Sequence, residues 1–336
     1  MRKLTILALG LAIVACQQQQ AHNSQRQESA ADSVLNEDIV QPVTDSLQQF
    51  PDNHQLYYRR ALLLFNTHPE LALKDFQQAA KLDTANTDYW AGAGEAALVT
   101  GNHQLAAQLF SKALTTAPGY PYLQYKLAIA QVEEKHYAAA DSLADLLTQS
   151  KEAKDQGYYL KARIAEDHRD TASAIKYLQQ GVAVATRPEY EALMELGDLL
   201  SSRRDAAAIP YYVQAWKLDS ANAAPMFNAG QLYEQLQQTD AAINAYRKSI
   251  VADPGHEAAY MALAHIYRKK NNWKDAWTFY NLAAKAAPTD AEAYYYRALS
   301  NEKLGKTDLA LEDYSKAASF RKDYAEAKAA IKRLSK

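Results

Sequence analysis

The chain has 336 residues, 48% of them hydrophobic, with 11 Gly, 10 Pro and no runs of alternating β-branched residues. That composition points to an all-α protein and away from sheet-based folds. With 37 basic against 39 acidic residues there is no positive excess to neutralise phosphates, so nucleic acid is not an expected partner.

Residues 1–16 read MRKLTILALGLAIVAC, with Arg2 and Lys3 ahead of an apolar run from Leu4 to Val14. The run is too short to span a bilayer of roughly 30 Å. It has the length of a signal-peptide core instead. Ile13, Val14, Ala15 and Cys16 then close it, and this quartet resembles the bacterial lipobox. The resemblance implies removal of residues 1–15 and lipidation of Cys16, the only cysteine. Gln17 comes next, where an Asp would mark inner-membrane retention in enterobacteria. The expected address is therefore the cell envelope, anchored by lipid at the outer membrane and facing the periplasm.

Residues 16–32 continue as CQQQQAHNSQRQESAAD, too poor in apolar groups to offset the entropy of ordering. They read as a flexible tether with a reach of about 22 Å. Over 33–52 apolar residues return as Val34, Leu35, Ile39, Val40, Val43, Leu47 and Phe50, which predicts a helix packed on the adjoining part of the chain. Pro42 either opens that helix in its first turn or breaks a longer one.

From about residue 53 the chain repeats. The clearest copy is 257–290, with Tyr260, Leu263, Ala264, Tyr267, Trp273, Ala276, Tyr280, Ala283 and Pro288 at fixed places. Counting Glu257 as position 1, small residues stand at positions 8 and 20 and an aromatic at 24. These places resemble the tetratricopeptide repeat, a pair of antiparallel helices in about 34 residues. The same pattern recurs at about 54–86, 87–120, 121–154, 155–188, about 190–222, 223–256 and 291–324. It is weakest from the third to the fifth copy, where Ala144 and Leu178 replace the aromatic. The resemblance implies a right-handed α-solenoid of about eight repeats over 53–324. Residues 325–336 would then form a charged capping helix that closes the last apolar face.

In that family the concave face, formed mainly by the first helix of each repeat, takes up a partner. Position 5 reads Tyr58, Ala91, Tyr125, Tyr159, Met194, Phe227, Met261 and Tyr295, an aromatic or thioether side chain at every repeat but one, which suits adaptable binding. Such residues also pack against neighbouring repeats, and that plainer role stays open. Positions 9 and 12 divide the face. Its N-terminal half carries Leu62, Phe65, Leu98, Ile129 and Val132 with Glu95, and its C-terminal half Arg163, Glu166, Asp198, Gln231, Glu234, His265 and Arg268. The expected partner is a protein or peptide segment, apolar on one half and held in register on the other. Two alternatives stand beside this: residues 33–50 could fold into the groove, or the tyrosines could stack on cell-wall sugar rings. The carboxylate clamp of chaperone-tail adaptors, Lys at position 5 with Asn at 9, occurs in no repeat.

Nothing in the sequence points to catalysis, a metal or a cofactor. The eight histidines form no H-x-x-x-H pair. Gly92, Gly94 and Ala97 match a dinucleotide fingerprint only formally, since they fall inside a helix rather than after a strand. Tether and repeats take up nearly all of the mature chain, so no enzyme and no small-molecule substrate are expected.

Overall fold

The computed structural model describes residues 33–335, and every regular element among them is a helix. The lipobox and tether, Cys16 included, lie outside the described residues. The helix Gln41–Gln49 carries Pro42 in its first turn, where the missing N–H costs nothing. Its Val43 and Leu47 are buried, together with Val40. Thr44 accepts a hydrogen bond from Arg60 of the next helix. The segment thus packs on the first repeat, and Leu62 on that repeat stays 53% exposed.

Helix pairs make up the rest. In the first four repeats the first helices are His54–Leu64, Thr87–Val99, Pro121–Glu133 and Lys154–Asp167. Their second helices are Pro69–Leu82, His103–Thr116, Tyr137–Gln149 and Thr171–Val184. In repeats five to eight the first helices are Tyr190–Ser202, Ala224–Gln235, Glu257–Lys269 and Ala291–Lys303. Their partners are Ala208–Leu218, Thr239–Ala252, Trp273–Ala286 and Thr307–Phe320. Ala325–Leu334 comes last. The chain divides into two compact units, one ending at Arg169 and one beginning at Asp170. The division falls between the two helices of the fourth repeat, within the stretch where the repeat pattern is weakest.

Local chemistry sets the helix ends. Asn53, Asn86, Asn102, Asp170, Asn272 and Asp290 cap helix starts, each side chain accepting from backbone N–H groups of the first turn. Pro118, Pro254 and Pro288 stand two residues beyond the ends of second helices, which they keep from continuing. The turn inside the repeat passes through a left-handed residue: Gly101, Lys135, Arg169, Arg204, Gln237, Asn271 or Gly305, with φ from 54° to 74°. Bonds such as Asn102 N–H to Ala97 O at 2.8 Å close these ends. In the fifth repeat the second helix begins late, with Pro210 in its first turn.

The core is the repeat pattern made solid. At position 8, Ala61, Ala128, Ala162, Ala264 and Ala298 are fully buried, as are Ala72, Ala106, Ala140, Ala174, Ala208, Ala242, Ala276 and Ala310 at position 20. Within each unit these short side chains let the paired axes come within about 8–10 Å. Position 24 fills the space beside them with Phe76, Phe110, Tyr212, Tyr246, Tyr280 and Tyr314, all buried. Gly94, Gly197 and Gly230 take position 8 in three repeats, and a methyl group there would meet the position-24 ring at 2.7, 2.6 and 2.5 Å.

The third and fourth repeats solve the same problem differently. A Cβ on Gly157 would stand 2.6 Å from the backbone N of Thr148 and 2.8 Å from the Ala144 carbonyl. Ala144 is therefore small because a first helix of the next repeat lies directly on the backbone there. Backbone cannot step aside as a ring can. Gly157→Ala, favoured by helix propensity alone by about 1 kcal/mol, is expected to destabilise the chain by about 1–3 kcal/mol instead. A urea titration followed by circular dichroism would show the sign.

Candidate functional site

On the first unit, the expected face residues lean on the core. The Tyr58 ring lies 5.6 Å from Phe76 and 4.9 Å from Tyr89, and Phe65 meets Phe76 edge-on at 6.3 Å. Leu98 is half-buried in the same cluster. Tyr125 and Ile129 pack on Ala128, Ala144, Leu147 and Leu160. Tyr159 is half-buried, and Arg163 is paired with Glu133 at 3.0 Å. One expectation needs correction. Val132 is 4% exposed, packed with Ala140 and Ile164 rather than facing a groove. Glu95 accepts hydrogen bonds from the Tyr122 hydroxyl at 2.5 Å and Lys126 Nζ at 3.0 Å.

The second unit is built on a device absent from the sequence reading. In each of its four repeats the buried tyrosine of the second helix shares a hydrogen bond with an acceptor on its own first helix. Tyr212 donates to Asp198 at 2.7 Å, Tyr246 to Glu234 at 2.9 Å and Tyr314 to Glu302 at 3.1 Å. Tyr280 and His265 Nδ1 share one at 2.7 Å. The first helix of the next repeat, or the capping helix, then reaches the same acceptor. Asn228 donates to Asp198, Lys269 to Glu234, and Arg333 to both oxygens of Glu302. The Tyr296 ring stands edge-on to His265 at 4.9 Å. Burial, reinforced by the neighbouring carboxylates, pushes the Tyr246 and Tyr314 hydroxyls up, so they stay protonated donors. Core and face are tied together, repeat by repeat.

These ties frame a cleft of about 700 Å³ on the sixth to eighth repeats. It brings together Phe227, Met261 and His265 of the expected residues, with Gln231, Arg268 and Tyr296. Phe227 stacks obliquely on Tyr246 and His256, and Met261 is largely buried. The Arg268 guanidinium lies 4.6 Å above the Tyr296 ring, and its Nε has no hydrogen-bond partner. A neighbouring cleft of about 550 Å³ holds Tyr295, packed on Tyr314 and Tyr324. Met194 is half-buried on the first helix of the fifth repeat, outside both clefts.

Burial holds His265 down to about 4, aided by Arg268 and Lys269. It is neutral in the folded protein, whereas the unfolded chain takes up a proton below about pH 6.5. Stability present above pH 6.5 is therefore lost progressively towards pH 4. Partial exposure screens the effect, leaving about 1–2 kcal/mol. The expected result is that a His265→Gln variant loses less stability than the parent between pH 6.5 and 4, measured by melting at stepped pH.

Sequence reasoning also missed two buried ion pairs. Arg60 binds Asp75 through Nε and Nη2 at 2.7 and 2.8 Å in the first repeat. Arg297 binds Asp313 in the same two-pronged way in the eighth. The signal was Arg at position 7, where other repeats have Ala, Leu or Lys. Among the described residues, no three His, Asp or Glu side chains come together as a metal would require. No helix among them is long and apolar enough to cross a membrane.

The geometry agrees with comparison to known proteins. Two family models, both described as tetratricopeptide repeat, match residues 62–121 with 159–225 and residues 235–300. The chain belongs to the tetratricopeptide-repeat family. It is 25% identical over 309 residues to a TPR repeat-containing protein of Methanocaldococcus jannaschii, covering 74% of this chain and 54% of that one. It is 24% identical over 302 residues to human DnaJ homolog subfamily C member 7, covering 84% of this chain and 56% of that protein. The chain thus spans about half the length of these curated relatives. The crystal structure of the C-terminal part of a TPR repeat-containing protein from Cytophaga hutchinsonii shares the fold. Its TM-score is 0.58 at 16% identity, covering 73% of this chain and 99% of that one.

Proposed function

We propose that the protein is a non-catalytic scaffold that binds another protein through the first-helix face of its repeats, held at the bacterial envelope by a lipid on Cys16. The observation that carries the binding reading is the cleft on the sixth to eighth repeats. Its walls come from successive first helices, and its polar groups are held in place by buried tyrosines. A surface whose side chains are fixed beforehand loses little entropy on binding. The anchor rests on the Ile13-Val14-Ala15-Cys16 quartet after an apolar run. Two acyl chains or more would hold it firmly, where one would not. The outer membrane, facing the periplasm, is the address this reading assigns.

Affinity capture from envelope extract tests the binding. Tyr125→Ala with Tyr159→Ala alters the face of the first unit, and Gln231→Arg with Ala262→Arg fills the cleft of the second. At least one pair is expected to cut recovery of the partner severalfold; unchanged recovery with both rejects the reading. For the anchor, Cys16→Ser should move the protein from the membrane to the soluble fraction.

A further inference from the structure

The cleft on the sixth to eighth repeats is unevenly charged. Glu234, Glu257, Asp290 and Glu292 line it against Arg268 and Lys269, with His265 neutral. Glu234 is satisfied by Lys269 and Tyr246. Asp290 caps its own helix. Glu257 and Glu292 have no ion-pair partner among the described residues, although both are half-buried. Each lies in the first turn of a first helix, where the helix dipole ordinarily favours a carboxylate. Glu257 is nonetheless pushed up, by burial first and then by Asp290 and Glu292.

The same edge continues. The neighbouring cleft shares Arg268, Glu292 and Tyr296 and adds Asp323 and Glu326, opposed by Arg321. Of the apolar lining, Met261 is buried and the Tyr296 ring is covered by Tyr280 and Arg268, which leaves half-buried Phe227 to offer aromatic surface to a side-chain stem. First helices of successive repeats stand roughly 10 Å apart. An extended peptide advances about 3.3 Å per residue, so it passes one repeat about every third residue.

Resting on the reading of this face as the binding surface, we propose that the cleft takes an extended partner segment with Lys or Arg at about every third residue. Its cations pair with Glu257 and Glu292, and a side-chain stem lies on Phe227. Charge complementarity of this kind selects the partner and sets its register.

The probe is a fluorescein-labelled (Ala-Ala-Lys)4 peptide, with (Ala-Ala-Glu)4 as its counterpart, followed by fluorescence anisotropy at low salt. The full chain should bind the lysine peptide and not the glutamate one. Glu257→Gln with Glu292→Gln should weaken binding about tenfold. Asp240→Asn with Asp308→Asn removes the same charge from exposed starts of second helices and should change it less than twofold. Equal weakening by both pairs, stronger binding of the glutamate peptide, or no binding of the lysine peptide overturns the proposal. If the peptide fails while Gln231→Arg with Ala262→Arg still blocks partner capture, the binding face stands and only the basic partner falls.

Discussion

Tyr246→Ala is expected to destabilise the protein by about 3–5 kcal/mol, among the largest losses for any single core substitution. Tyr246 is 1% exposed, and its ring stands where a Cβ on Gly230 would be 2.5 Å away. Removing it leaves a cavity between two helices that a glycine has already brought as close as they come. The neighbours Ala242 and Ile243 are short or branched and cannot swing in to fill it. Tyr246→Phe keeps the ring and removes only the hydrogen bond to Glu234 at 2.9 Å. A bond to a charged group contributes about 1.5–3 kcal/mol. Glu234 retains Lys269, so the lower end of that range is expected. Urea titrations of the two variants separate packing from hydrogen bonding. Equal losses would mean that the ring contributes nothing beyond its hydroxyl.

Asp313→Ala is expected to cost a similar amount, about 3–5 kcal/mol, for a different reason. The Arg297 side chain is 15% exposed and that of Asp313 6%. Arg297 also donates to Asn281 at 2.8 Å, and Asn301 donates to Asp313 at 3.2 Å. Deleting Asp313 strands a guanidinium where water cannot replace its partner. Replacing both charged residues, Arg297→Leu with Asp313→Leu, removes the stranded charge and should recover most of the loss, since a well-packed apolar pair is often as stable. Position 7 is already Leu in the third, fifth and seventh repeats, as Leu127, Leu196 and Leu263, and the fold accommodates it there. A double variant no more stable than Asp313→Ala would show that Asn281 and Asn301 require the pair.

The repeat was legible because its constraints act at fixed spacing along the chain. Ala264, Ala276 and Tyr280 meet within one helix pair, and every other pair must meet the same demand, so eight imperfect copies reinforce one another. Gly157 escaped notice because what it touches is the backbone of Thr148, and no side-chain pattern marks a backbone contact. Arg60 with Asp75 and Arg297 with Asp313 escaped because each Arg sits in a column of mainly apolar residues. Only the three-dimensional pairing of position 7 with its helix partner makes sense of it. The polar second half of the face was visible in Asp198, Glu234 and His265. The tyrosines beneath those residues read as core alone. In the first two repeats Phe76 and Phe110 fill the same place with no hydroxyl to offer, so the contrast between Phe and Tyr was the available signal. For Val132 the column assignment misled: one position in a repeat faces the groove or the neighbour depending on local packing.

The claim on which the account depends is that first-helix surfaces, and not second-helix surfaces, meet the partner. A photo-crosslinking residue at Gln231, exposed in the cleft, and another at Lys274, exposed on a second helix, test it side by side in the native host. The account predicts one dominant protein adduct from position 231 that Glu257→Gln with Glu292→Gln diminishes, and none from position 274. The same adduct from both positions, or an adduct from 274 alone, would contradict it.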